Sequence, residues 1–111
     1  MKKIKFYMLC GNKKGQYIQV SDGYEIKVAE RPCAISQNKW GCWTATDIET
    51  GLAYPVSECF DKRKDLVDWL HYKEQEFEEA YKKVLDKDGG EKLKWASRRL
   101  EELKEDMLHE D

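Results

Sequence analysis

Tyr54-Pro55-Val56-Ser57-Glu58-Cys59-Phe60-Asp61-Lys62-Arg63-Lys64-Asp65-Leu66 is the stretch where the hydrophobic period of the chain changes. Ahead of it, Ile4, Phe6 and Met8 alternate with Lys3, Lys5 and Tyr7, the period of a strand with one buried face. Behind it, Leu66, Leu70, Phe77, Ala80 and Val84 recur at helical spacing, with Trp69 and Tyr72 widening the stripe. Strands first and helices after is a segregated order, which predicts an α+β fold rather than alternating βαβ units. The expectation is one domain over residues 1–111, with an antiparallel sheet in 1–60 and a two-helix hairpin in 61–111.

About five strands are predicted. Gly11-Asn12-Lys13-Lys14-Gly15 reads as the turn after the first. Tyr17–Val20 and Tyr24–Ala29 read as the next two, joined by a tight Ser21-Asp22-Gly23 hairpin and closed by Pro32. Residues 36–39 carry little pattern. A second hairpin then pairs Trp40–Ile48 with Leu52–Val56, and Gly51 takes the left-handed conformation at its turn. Asp47 is placed to accept hydrogen bonds from the turn amides.

The first predicted helix starts with Asp61 as N-cap and runs to the Asp86-Lys87-Asp88-Gly89-Gly90 break. The second runs from Glu91 to about Leu108. Its seam of Leu93, Ala96, Leu100, Leu103 and Met107 packs on the first helix or on a second copy of the chain. Trp95 lies off that seam and either reaches the sheet or anchors a partner.

Charged residues make up 38% of the chain, yet the net charge is only −2, which describes an ion-paired surface rather than a general polyanion binder. Residues 1–60 carry 8 Lys/Arg against 6 Asp/Glu, and residues 61–111 carry 12 against 16, so the sheet is mildly basic and the helices acidic. The apolar run Phe6–Cys10 is shorter than the ~7–15 residues of a signal sequence, and no stretch approaches the ~20 of a membrane span. A cytoplasmic protein without membrane contact is expected. Cys10, Cys33, Cys42 and Cys59 lack any C-x-x-C pair, so four free thiols are expected, with a four-cysteine zinc site as the alternative.

No catalytic constellation stands out. His71 and His109 are isolated, the carboxylates sit beside lysines on helix faces, and no glycine-rich phosphate loop occurs. The chain reads as a non-enzyme with no cofactor.

Trp43-Thr44-Ala45-Thr46-Asp47-Ile48-Glu49-Thr50-Gly51-Leu52-Ala53, with Phe60–Leu66 after it, resembles a pattern in small phage and mobile-element proteins of Gram-positive bacteria. There a W-x-(V/A)-x-D-x-x-TG hairpin leads into a helix. Here Asp61 stands where that pattern has a Thr cap, and Asp65-Leu66 where it has Glu-Ala. The stretch is also similar to the arm-binding N-terminal domain of phage integrases, which implies DNA contacts from the sheet. Compact phage-encoded proteins, anti-CRISPR proteins among them, resemble the overall profile of a short sheet, an acidic helical surface and no active site.

The leading expectation is therefore a small accessory or inhibitor protein of a mobile element that binds another protein, such as a nucleic-acid-binding effector. An acidic helix can occupy a groove built for phosphates, which makes Glu101, Glu102, Glu105 and Asp106, with Trp95, the candidate contacts. The alternative is a DNA- or RNA-binding sheet using Lys13, Lys14, Lys39 and Trp40, since cations interleaved with aromatics suit single strands. A homodimer joined along the last helix is the third reading.

Overall fold

The computed structural model describes residues 1–12 and 14–109, without the side chains of Asn12 and His109. Its elements are β1 (Lys2–Asn12), β2 (Gly15–Val28), β3 (Arg31–Gln37), β4 (Trp43–Asp47), α1 (Arg63–Tyr72), α2 (Glu74–Asp88) and α3 (Glu91–His109). The strands form one antiparallel meander in the order β1-β2-β3-β4. The fold is α+β as expected, but with four strands and three helices in place of about five and two.

The predicted hairpin at Ser21-Asp22-Gly23 does not exist. β2 runs straight through it, and Asp22 pairs with Lys5 across the β1 ladder. Gly23 instead serves a close approach. A Cβ there would lie 2.3 Å from the Ile35 carbonyl oxygen and 2.9 Å from the Phe6 ring. The real turn is at Ala29 and Glu30, both with positive φ (50° and 66°) and neither a glycine. Left-handed backbone costs such residues about 1 kcal/mol each. The Ala29 amide compensates by donating to the Glu74 carboxylate at 2.6 Å.

β3 thus begins where a strand end was expected, and Pro32 is its second residue. The β4 ladder starts only at Cys33, so the missing proline donor is not needed there. The expected arm at Leu52–Val56 reduces to one bridge, Thr46 to Ala53, with Tyr54 N donating to Ala45 O at 2.9 Å.

The register places Val28, Cys33, Ile35 and Ala45 on one face, and Leu66 and Leu70 of α1 close over them. Fully burying each leucine contributes about 2 kcal/mol. A run of rings, Phe60–Trp69–Phe77–Tyr54 at centroid spacings of 5.7, 5.9 and 5.2 Å, ties α1 and α2 to the sheet. Lys73 separates these helices, and Glu74, which holds the Ala29 amide, sits right beside the break. Lys62 rather than Asp61 occupies the N-cap, with no side-chain bond. Ala80 and Tyr72 are exposed, so the predicted stripe narrows after Leu70. Gly89 ends α2 in the left-handed conformation, as expected.

α3 packs on the same face of the sheet. Ala96 and Leu100 are buried, and a Cβ on Gly51 would meet Leu100 at 3.0 Å. Arg99 donates to Gln16 of β2 at 3.2 Å, and the Lys104 ammonium lies 4.8 Å from the Tyr7 ring of β1. The centre of the seam is therefore used within the chain. Among the described residues no helix is long and apolar enough to cross a membrane.

Candidate functional site

With all three helices on one face, the opposite face of the sheet carries Phe6, Ala34 and Thr46, which are buried, and a cleft toward the β3–β4 loop. Alternation along the strands puts Met8, Gln19, Ser21, Ser36 and Thr44 there, and they line a cleft beside the β3–β4 loop. The lip of that cleft is Asn38-Lys39-Trp40. Trp40 is 76% exposed, and the Lys39 ammonium rests 4.6 Å from its ring centroid.

This loop is held firmly. The Asn38 side-chain oxygen accepts from the amides of Trp40 and Cys42, both at 3.0 Å. Asn38 N donates to Cys42 O at 2.9 Å, Gly41 N to Asn38 O at 3.0 Å, and Gln37 Nε2 to Gly41 O at 2.9 Å. Gly41 has φ +85°, a conformation that suits glycine alone. Cys42 is disulfide-bonded to Cys59, and the adjacent Trp43 amide donates to Phe60 O at 2.7 Å. The four-free-thiol expectation is corrected here: only Cys10 and Cys33 are free. The four-cysteine zinc alternative loses its ligands, and among the described residues no three His, Cys, Asp or Glu side chains cluster to hold a metal.

The loop on the other side of β4 has a different task. Asp47 Oδ2 accepts from Thr50 N at 3.1 Å and from Thr50 Oγ1 at 2.7 Å, while Leu52 N donates to Thr50 Oγ1 at 3.2 Å. Arg31 grips both Asp47 oxygens, Nε at 3.1 Å and Nη2 at 2.8 Å, and its guanidinium stacks 4.4 Å from the Tyr81 centroid. Burial alone would lower the Arg31 pKa, but the hydrogen bonds and charge of Asp47 more than offset it and leave it raised. Gly51, at φ +73° as expected, accepts from the Leu9 amide at 2.8 Å and so tethers the edge strand β1. Burial pushes the nearby Cys33 thiol up to about 12 and the Tyr54 hydroxyl upward as well.

Of the residues expected to touch nucleic acid, Lys39 and Trp40 come together at the lip. Lys14 lies in the β1–β2 turn, and Lys13 falls outside the described residues. On α3, Glu101, Glu102, Glu105 and Asp106 are all exposed, and Trp95 is 46% exposed. Glu101 pairs with Lys104 at 3.3 Å and Glu102 with Arg99 at 3.1 Å, which neutralises half of that acidic set. Sequence reasoning missed Asn38, Gln37 and the Cys42–Cys59 bond as supports of Trp40. The Asn-x-x-Gly spacing was the one available signal.

No family model, curated protein or solved structure matches this chain.

Proposed function

We propose that this protein is a non-enzymatic binding module that holds another protein through Trp40 and the cleft beside it. The carrying observation is a solvated indole on a loop fixed by five hydrogen bonds and a disulfide. An exposed tryptophan gains nothing for folding, whereas a pre-ordered one binds without a further entropy cost. Tryptophans of this kind dominate binding energy at protein interfaces. The cleft is lined by amides, hydroxyls and one thioether, with Lys39 its single charge. That matches the charge-poor centre of a protein interface and offers too few cations for phosphate-driven binding. A small accessory or inhibitor protein of a mobile element, the setting implied by the hairpin resemblance, works by such a contact.

The Lys39–Trp40 stack favours single-stranded nucleic acid as the second reading. One experiment separates the two: capture from host lysate with the native chain and Trp40→Ala, each with and without nuclease. A protein captured after nuclease treatment and reduced about 30-fold by Trp40→Ala supports the proposal. Capture that disappears with nuclease supports the nucleic-acid reading, and capture indifferent to Trp40 removes the site. Reversing Glu101, Glu102, Glu105 and Asp106 to Lys in the same assay tests the acidic face. Loss of the partner there would move the contact to α3.

A further inference from the structure

A second concavity lies on the helical face, independent of the Trp40 reading. Under α2 is a cavity of about 190 Å³ with walls that include Val28, Leu52, Tyr54, Phe77 and Leu93. An apolar cavity of ~150 Å³ holds a benzene ring, so this one has room for a phenyl group. The Arg31–Tyr81 stack forms part of the wall at one end. Beyond that stack the groove continues along α3 past Lys94 and Arg98, sharing Arg31, Thr50, Tyr81 and Leu93 with the cavity.

The polar end is incompletely satisfied. Arg31 spends Nε and Nη2 on Asp47, with Nη2 also 3.5 Å from Glu49, while Nη1 has no hydrogen-bond partner among the described residues. Lys94 and Arg98 have no ion-pair partner among the described residues either. Of the carboxylates in the two linings, Asp47 and Glu49 are paired with Arg31 and Glu78 with Lys82, which leaves Lys94 and Arg98 beside an apolar compartment.

We propose that this groove binds a small amphipathic carboxylate, its phenyl-sized apolar group in the cavity and its carboxylate held by Arg31 Nη1, Lys94 and Arg98. The ligand chemistry is shared by a free aryl or branched alkyl acid and by the C-terminal residue of a peptide. The strength comes from the charge-assisted bonds, which a neutral amide cannot reproduce.

The test titrates the full chain with 3-phenylpropionate, 3-phenylpropionamide and the dipeptide Gly-Phe, following backbone amide shifts by NMR. Saturable shifts at Leu52, Ala53, Phe77 and Tyr81, with the amide at least tenfold weaker than the acid, are expected. Ala53→Trp, at an exposed position on the cavity wall, should abolish them. Lys94→Ala with Arg98→Ala, both on the exposed side of α3, should bring the acid down to the amide's level. Tighter binding of 3-phenylpropionate assigns a free acid, and tighter binding of Gly-Phe assigns a peptide C-terminus. No saturable shift at these residues, or equal binding of acid and amide, overturns the proposal. Retained Trp40-dependent capture in the Ala53→Trp variant keeps the two sites distinct.

Discussion

Two loops flank β4, and both are organised by an Asx side chain, but one faces inward and the other outward. Asp47 folds the 47–51 turn into the protein: Thr50 is 2% exposed, and Gly51 sits between Leu9 and Leu100. Asn38 folds the 38–42 loop away from it and leaves Trp40 in solvent. The D-x-x-T-G motif that stands out in the sequence is therefore architecture, since the side chains of Asp47, Glu49 and Thr50 each close a hydrogen bond or an ion pair. The stretch without a recognisable pattern is the one with something left over for a partner.

The comparison can be broken most severely at Asp47. Asp47→Ala strands the part-buried Arg31 charge and two turn bonds, and should lower stability by about 3 kcal/mol in urea unfolding. Opening the outer loop has a similar or smaller effect on stability and a larger one on binding. Replacing Cys42 and Cys59 by Ser removes a cross-link spanning 17 residues, worth about 3 kcal/mol by loop entropy. The same variant should lower partner affinity, because Trp40 is then released from its fixed position. Asn38→Ala should cost about 1 kcal/mol and increase indole mobility, read as a drop in fluorescence anisotropy in a variant that keeps Trp40 as its single tryptophan.

How much was legible follows the same division. The alternation at Ile4–Met8, the Asp47 turn, Gly51 and Gly89 are local patterns, and each formed the structure it implied. The α3 seam formed a helix whose centre packs against Gly51 and β1 rather than on the first helix alone. What failed depended on distant parts of the chain. Asp22-Gly23 looks like a turn until Ile35 and Phe6 occupy the space of its missing side chain. Ala29-Glu30 does not look like one until Glu74, 45 residues away, binds its amide. Trp40 was named in the sequence as a candidate for nucleic acid. Its clamp, however, depends on Cys59, which no spacing rule links to Cys42.

The buried side of the comparison also has a pH signature. Cys33 is fully buried and its thiol is raised to about 12 in the folded chain from an ordinary 9.0, so the unfolded chain loses this proton first. Stability is fully kept below pH 9 and falls between pH 9 and 12, at up to about 1.4 kcal/mol per pH unit. Cys33→Ala should remove the part of that slope that begins at pH 9 and leave the part from the Tyr54 hydroxyl, also raised by burial, above pH 10.

The most direct test places stability and binding on a single variant, Trp40→Ala. The account predicts an unfolding free energy from urea titration changed by less than about 0.5 kcal/mol, as for a surface side chain, together with about 30-fold weaker capture of the protein partner. A loss of stability above about 1 kcal/mol, or undiminished capture, would contradict it. The first would make Trp40 part of the fold, and the second would show that the partner binds elsewhere.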